Sequence, residues 1–232
     1  TPTFQMLVFG PQLKWNALRD FAPVASLVGY PLGMAASLAT GAGTAREFIE
    51  WAKRNPRQAS FGTPGLGGQN HFLGVQLARE AGIELPVTPY KGTPPMVTDL
   101  VGGHLPSAIS LMDGLLKHHR AGQVRVLGIF TARRSELMPD IPTLAESGVK
   151  GLEGFEADQW YGLVAPAGTP ADIVQKLNAE SQKALALPSV REALAKQGFE
   201  IAGGSSQDFA QFMRAEIDKW TRVVNNAGLP KL

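Results

Sequence analysis

Residues 59–93 read ASFGTPGLGGQNHFLGVQLAREAGIELPVTPYKGT, and they hold two turns of the same kind. The first, here called the glycine turn, runs from Gly62 to Asn70 and leads from a predicted strand into a predicted helix. The second turn, Tyr90 to Thr93, does the same. Such turns present unpaired backbone N–H groups and the positive end of a helix dipole, which together favour an anion. Two of them in succession predict a site for a small acid.

Strands and helices alternate on both sides of this stretch. Strands are predicted at 20–28, 32–38, 59–61, 87–90, 105–111, 125–130 and 160–166, and helices at 45–55, 71–81, 93–100, 115–119 and 143–147. The alternation predicts an α/β sheet with parallel strands, and the apolar run at 32–38 is predicted to be a buried parallel strand.

Three further helices begin near Thr169, Pro188 and Ser205. The last carries an apolar stripe that is typical of packing rather than of a cofactor site, made of Phe209, Phe212, Met213, Ile217, Trp220, Val223 and Val224. The change to an all-helical chain predicts a lobe boundary near residues 155–165. The chain is predicted to cross between the lobes a second time at Gly29-Tyr30-Pro31, which lies between two predicted strands.

Composition excludes several classes of protein. The 232 residues carry a net charge of +2, too balanced for a nucleic-acid coat or a polybasic membrane anchor. There is no cysteine, so disulfides and thiolate metal sites are excluded. No apolar run approaches the roughly 20 residues that span a bilayer. We therefore expect no nucleic-acid partner, no membrane insertion, and a soluble chain from which any export signal has been removed.

The glycine turn fails both phosphate-binding templates. Its spacing matches a Walker A loop, but Gly68 and Gln69 stand where Lys and Ser or Thr are needed. A dinucleotide fingerprint would need glycine at Asn70. What remains is a turn whose amides, Thr63 hydroxyl and Asn70 side chain suit a smaller anion. The alternative is a tight turn that needs glycine only for positive φ.

The second turn offers similar chemistry. Tyr90 and Thr93 are predicted to hydrogen-bond a carboxylate, and Gly92 lets the backbone approach it. Lys91 either joins them or points to solvent, as most lysines do. The four histidines and the single acids Asp99, Asp113 and Glu153 form no catalytic or metal-binding pattern, so no metal, cofactor or enzymatic activity is expected.

Several segments together resemble the Bug (TctC-like) extracytoplasmic solute receptors of tripartite tricarboxylate transporters. The matching segments are 61–68 with 71–74, 87–95, 99–103, 120–127, 139–148 and 160–170, in the order of the family. The resemblance covers nearly the whole chain.

The resemblance implies a two-lobed periplasmic-binding-protein fold, type II-like, with lobe 1 formed by residues 1–29 plus 161–232 and lobe 2 by residues 30–160. It implies a small organic acid, a carboxylate or dicarboxylate, as ligand, and the membrane transporter subunits as partners. The lobes would close on the ligand about a hinge near residues 29–31 and 155–161. The expected location is the periplasm.

By similarity, both turns line the ligand site. The predicted ligand-binding residues are Gly62, Thr63, Gly65, Gly67, Gly68, Asn70, His71, Tyr90, Lys91, Gly92, Thr93, Ser110 and Thr3. The chain departs from the family in two ways. It starts later, so part of lobe 1 is expected to be missing, with Thr3 in the loop that follows. The family's Asp-Asn pair falls on Ser110-Leu111, with Asp113 nearby, which implies a different acid.

Two alternatives from other classes remain open. One is the effector-binding domain of a transcription regulator, which would require a helix-turn-helix and a basic recognition face. The other is an enzyme acting on a small carboxylic acid.

Overall fold

The computed structural model describes residues 14–149, 152 and 157–227. The chain divides into two compact units, one formed by Thr1–Tyr30 with Gln159–Leu232 and the other by Pro31–Asp158. We call them the first and the second unit. The predicted α/β class is confirmed, because strands and helices alternate through the second unit. The predicted ligand-binding residues that the structure describes lie in the second unit.

The helices and strands of the described residues are numbered here in chain order. The strands are β1 (Phe21–Ser37), β2 (Phe61–Thr63), β3 (Val87–Pro89), β4 (Ser107–Leu111), β5 (Val124–Ile129), β6 (Asp158–Pro166) and β7 (Glu200–Ile201). The helices are α1 (Ala45–Arg54), α2 (Gln69–Ala81), α3 (Thr93–Val101), α4 (Met112–Arg120), α5 (Ala171–Ala186), α6 (Pro188–Lys196) and α7 (Ser206–Ala227). Short 3-10 turns lie at Leu38–Thr40 and Ala145–Ser147.

The sheet of the second unit has the strand order β3-β2-β4-β1-β5. β2 pairs in parallel with β3 and with β4, as predicted. β1 runs antiparallel to β4 and to β5. The carboxyl ends of β2, β3, β4 and β5 therefore all lie at one edge of this sheet, which we call the carboxyl edge.

The segment 32–38 departs from the prediction. Its residues 32–37 form the second half of β1, a single strand of 17 residues, and they run antiparallel to their neighbours instead of parallel, while Leu38 begins a 3-10 turn. Gly29-Tyr30-Pro31 does not interrupt the strand. Pro31 falls between Gly29, the last residue paired with β7, and Leu32, the first paired with β4, so its missing N–H lies where β1 changes partners.

Helix α2 packs directly on strand β2. A Cβ added to Gly74 of α2 would lie 2.2 Å from two ring atoms of the fully buried Phe61. The absence of a side chain at residue 74 thus lets the helix approach the strand. α2 begins at Gln69, two residues before the predicted start at His71. The start of α1 is as predicted, because the side chain of Thr44 accepts a hydrogen bond from the Glu47 N–H at 3.2 Å.

In the first unit, β6 and β7 pair with β1, and α5, α6 and α7 follow β6. The predicted packing stripe of α7 is confirmed at Phe209, Met213 and Trp220, which are buried. Phe209 lies against Trp160, with ring centroids 5.5 Å apart. Phe212 also packs on the Trp160 ring, with ring centroids 5.3 Å apart, although 38% of it is exposed. The side chains of Val223 and Val224 lie outside the part of the chain that can be described.

Candidate functional site

Three strand-to-helix turns meet at the carboxyl edge. The glycine turn joins β2 to α2, the second turn joins β3 to α3, and β4 passes directly into α4 at Leu111. Because β2 lies between β3 and β4, the glycine turn is the middle one of the three. The structure thereby brings both predicted turns, and Ser110 near the end of β4, to the same edge.

The side chains of the glycine turn hold its own backbone. The buried Thr63 hydroxyl donates to the Gly65 carbonyl at 3.0 Å. The Gly67 N–H donates to His71 Nδ1 at 3.2 Å, and Gly67 has a φ of 70°, in the left-handed region that favours glycine. Gly62 lies within β2 and packs against Leu105. Thr63 and His71 therefore shape the turn.

The amides of this turn supply its free donors. Among the described residues, the backbone N–H groups of Gly65, Leu66, Gly68, Gln69 and Asn70 form no hydrogen bond. Gln69 and Asn70 are the first two residues of α2, a helix of 13 residues, so its dipole adds to the positive potential. The glycine turn thus has the donors and the field that a carboxylate requires.

The second turn is fastened to the glycine turn. The Tyr90 N–H donates to the Thr63 carbonyl at 2.9 Å and the Gly92 N–H to the Pro64 carbonyl at 3.3 Å. α3 then begins with Thr93, followed by Pro94 and Pro95, which have no N–H to offer. The start of α3 therefore presents fewer donors than the start of α2, although both follow a turn of the same design.

The hydroxyl group of Tyr90 donates a hydrogen bond within the second unit. The hydroxyl donates to the Asp99 carboxylate at 2.7 Å, and burial, followed by this bond, raises the pKa of Tyr90 to about 12. A phenol has one proton to donate, so in this arrangement Tyr90 holds the turn against α3. Lys91 beside it is exposed, which corresponds to the solvent-facing alternative of its two predicted positions.

The turns are also joined to β4. Asn70 Nδ2 donates to the Ile109 carbonyl at 3.1 Å, and the hydroxyls of Thr93 and Ser110 lie 3.3 Å apart. Asp113, exposed in the first turn of α4, places a carboxylate at the third corner. A carboxylate repels an anionic ligand, so an anion at this edge is favoured at the start of α2 and disfavoured at the start of α4.

Sequence reasoning did not identify Gln69 as a candidate. Its side chain is 4% exposed, and its Oε1 atom has no hydrogen-bond partner. The sequence does carry a signal for its burial. Phe72 and Leu73 follow Gln69 at i+3 and i+4, so the three residues lie on one face of α2, and this face is buried. A polar residue on an apolar helix face, directly after Gly67 and Gly68, therefore indicates a polar group that is buried next to the turn.

His71 is neutral in this setting, because burial lowers its pKa below the ordinary value. Its Nδ1 atom accepts from Gly67, so the imidazole proton is on Nε2. Within residues 14–149, 152 and 157–227, no group of three or more His, Asp or Glu side chains could hold a metal ion. Thr3, the remaining predicted site residue, lies outside the described residues.

Of two cavities in the second unit, one includes a predicted site residue and the other includes none. One of about 590 Å³ lies between α3 and α4 and includes Thr93 and Asp113. The other, about 550 Å³, is lined by the start of α1 and the first half of β5, with Arg46 and Arg125 in its walls. It contains none of the predicted site residues.

A mixed α/β chain in two compact units, with a donor-rich turn at the carboxyl edge of a sheet, has the features of a periplasmic solute-binding protein. The chain belongs to the tripartite tricarboxylate transporter receptor family, TctC, whose model matches residues 2–229. The predicted membership is confirmed. This is a family of solute receptors and not one of enzymes.

Relatives of known sequence cover nearly all of the chain. The UPF0065 protein in the tcbD-tcbE intergenic region of Pseudomonas sp. strain P51 is 35% identical over 216 residues, which are 93% of this chain and 64% of that protein. BugT of Bordetella pertussis is 32% identical over 218 residues, 94% of this chain and 66% of BugT. The chain thus spans about two thirds of the length of these relatives.

Solved structures of the same family confirm the two-lobed fold class. R. palustris Rpa4515 with adipate is 31% identical, with a TM-score of 0.81 over 94% of this chain and 72% of that one. MatC from Rhodopseudomonas palustris with bound malate is 28% identical, with a TM-score of 0.78 over 95% of this chain and 75% of MatC. Within the described residues, no helix combines the length and apolar character needed to cross a bilayer.

Proposed function

We propose that this protein captures a small organic acid, a carboxylate or dicarboxylate, at the glycine turn of the second unit. The observation that carries the proposal is the set of five backbone N–H groups in this turn, residues 65, 66 and 68–70, which have no acceptor among the described residues. An anion at the start of α2 satisfies them and interacts favourably with the helix dipole.

The relatives support an acid as the ligand. Rpa4515 was solved with adipate and MatC with malate, and both are dicarboxylates. The family match favours this function over an effector-binding domain or an enzyme. In the proposed site, Gly65, Gly67, Gly68, Asn70, Gly92, Thr93 and Ser110 surround the acid, and Gly62, Thr63, His71 and Tyr90 hold the turns. Lys91 contributes long-range positive charge.

The proposed role in the cell follows from the family. The protein is exported to the periplasm and delivers the acid to the membrane subunits of a tripartite tricarboxylate-type transporter. Uptake of the labelled acid by cells that carry those subunits should require this protein. Uptake that is equal with and without it would contradict the delivery role while leaving acid binding intact.

A substitution of Gly68 tests whether the free backbone N–H groups of the glycine turn bind the acid. Its φ of −86° is close to that of proline, its N–H has no partner among the described residues, and a Cβ added there meets nothing within 4 Å. Gly68→Pro removes one free N–H, whereas Gly68→Ala keeps it. We expect Gly68→Pro to weaken acid binding about 10- to 100-fold, since a hydrogen bond to a charged group contributes about 1.5–3 kcal/mol.

The measurement is calorimetric titration with mono- and dicarboxylates, accompanied by thermal unfolding, in which a bound acid raises the midpoint. Gly68→Ala is the matched control and should bind as the parent protein does. If no acid binds the parent protein, or if the alanine and proline variants bind equally well, the proposed site is wrong.

A further inference from the structure

The cavity of about 550 Å³ at the start of α1 is separate from the proposed acid site. It is lined by the first half of β5, whose other end lies at the carboxyl edge, so the cavity belongs to the opposite side of the sheet. Segments 120–127 and 139–148, which resemble the family, both contribute to its walls but supply no residue of the acid site. The acid site therefore leaves these two segments without a role.

Two arginines in the cavity walls carry charge that no carboxylate neutralises among the described residues. The guanidinium group of Arg125 is exposed and forms no hydrogen bond or ion pair there. Arg46 donates through Nη2 to the Gly148 carbonyl at 2.8 Å. A carbonyl is a neutral acceptor, so this bond holds the guanidinium group against the end of segment 139–148 and leaves its charge uncompensated.

The two acids of the walls differ in what they already bind. Glu146 is paired within its own part of the chain: Arg134 Nε lies 3.0 and 3.1 Å from its two carboxylate oxygens, and the Thr143 N–H donates to it at 2.7 Å. The bond from Arg134, followed by that from Thr143, lowers the pKa of Glu146. Asp140 is exposed and has no such partner among the described residues. Two uncompensated positive charges therefore face one uncompensated negative charge.

Further donors come from other walls of the cavity. His119, near the end of α4, accepts the Val126 N–H through Nδ1 at 3.3 Å, so its proton is on Nε2. The N–H groups of Ala45 and Arg46 form no hydrogen bond among the described residues. Donors thus lie on α1, α4 and β5, and an anion that meets all three needs oxygens in several directions. A tetrahedral phosphate has them, whereas the two oxygens of a carboxylate lie in one plane.

We propose that this cavity binds a phosphate group, either free or as the monoester of a small molecule, and that Arg46 and Arg125 provide the complementary charge. Guanidinium groups suit phosphate oxygens in both charge and geometry. The cavity volume leaves room beside a single phosphate for the organic part of a monoester. This site does not depend on the acid site at the glycine turn.

Calorimetric titration of the unmodified protein tests the proposal with two probes, inorganic phosphate and glycerol 3-phosphate. Sodium chloride at matched ionic strength is the control, because salt alone screens exposed charges. We expect saturable binding of at least one probe. Tighter binding of glycerol 3-phosphate would identify a monoester as the ligand, and tighter binding of inorganic phosphate would identify the free ion. Absence of saturable binding by both overturns the proposal and leaves acid binding untouched.

Three variants assign the binding to this cavity. Arg125→Gln should weaken phosphate binding about tenfold, and Asp140→Asn should strengthen it, because it removes a repelling charge. Arg120→Gln is the matched control: it removes the same charge from an exposed arginine at the end of α4, outside the cavity walls, and should bind as the parent does. If Arg120→Gln weakens binding as much as Arg125→Gln, the protein attracts phosphate only through its general charge, and the proposed site is wrong.

Gly68→Pro separates this site from the glycine turn. The variant is expected to weaken acid binding and to leave phosphate binding unchanged. In NMR spectra of the parent protein, phosphate should shift the amide signals of Ala45 and Val126, whereas an acid should shift those of residues 65–70. Loss of phosphate binding in Gly68→Pro, or phosphate-induced shifts confined to residues 65–70, would place phosphate at the glycine turn and overturn the proposal.

Discussion

His71 and Gly67 hold each other in place within the glycine turn. The imidazole accepts the Gly67 N–H through Nδ1, which it can do only while it is neutral. Burial lowers the pKa of His71, so the folded protein keeps the ring neutral under conditions in which a free histidine gains a proton. The His71 side chain thus accepts from one amide of residues 65–70, that of Gly67, and leaves the other five without a hydrogen bond among the described residues.

The lowered pKa of His71 predicts a pH dependence of stability. In the unfolded chain the ring titrates near its ordinary value of 6.5, and in the folded protein it titrates lower. The contribution to the free energy of unfolding is therefore fully present above pH 6.5. It is lost as the pH falls from 6.5 to the folded pKa, because the unfolded state binds the proton first.

Urea unfolding between pH 8 and pH 5 measures this contribution when the parent is compared with His71→Asn, whose Oδ1 takes the position of Nδ1 as an acceptor for the Gly67 N–H but does not titrate. The parent should lose stability relative to the variant as the pH falls below 6.5. Parallel profiles for the two proteins would contradict the neutral, accepting imidazole.

Only part of the geometry of the candidate site follows from the sequence. The turn conformations at Gly67 and Gly92 do, because left-handed turns select glycine and both residues have positive φ. Tyr90 was named as a ligand for its hydroxyl, but a local pattern does not show that Asp99, nine residues later, reaches that hydroxyl first. Gln69 was missed because polarity at a helix start usually indicates exposure, and only the packing of α2 on the sheet buries it.

At the scale of elements, the contact between α2 and β2 positions the glycine turn that joins them. The predicted strand-turn-helix order here was correct, because glycine and the apolar spacing of α2 are local properties. The direction of β1 was not predictable in this way. An apolar run of seven residues is equally compatible with a parallel and an antiparallel buried strand, and its partners, β4 and β5, are distant in sequence.

Gly74→Ala should disturb this contact. Alanine favours a helix by about 1 kcal/mol over glycine, but its Cβ would lie 2.2 Å from the Phe61 ring, and overpacking of a core costs about 1–3 kcal/mol. We therefore expect a net loss of stability and weaker acid binding, since the helix that carries the amides must shift. Denaturant unfolding and calorimetric titration measure the two effects.

The double variant Gly74→Ala/Phe61→Leu provides the control. Leucine removes the ring that the new methyl group meets, so the double variant should lose less stability than the sum of the two single losses. Additive losses would mean that the contact between residues 74 and 61 does not set the approach of α2 to β2.

At the scale of the whole molecule, β1 is the strand that belongs to both compact units. Its first half pairs with β7, and its second half lies between β4 and β5. Met34, Ala35 and Ala36 are buried and have a paired strand on each side. Edge strand β3, in contrast, has one pairing partner among the described strands, and Pro89 in it is exposed.

Hydrogen exchange should reveal this difference. The amide protons of residues 34–36 are expected to exchange only by global unfolding, and those of residues 87–88 by smaller openings. Exchange followed by mass spectrometry over increasing denaturant compares the two segments within one sample. If residues 34–36 exchange as fast as β3, the centre of the sheet does not lie at β1.

The position of β1 also dictates the order of folding. Ala35 pairs with Ala108 on one side and with Val126 on the other, so this early strand stays incomplete until much later residues are available. The other half of the same strand waits still longer, for Ile201. Contacts between residues so distant in sequence form slowly. The apolar run of β1 therefore has no strand partner until the residues of β4, β5 and β7 are available.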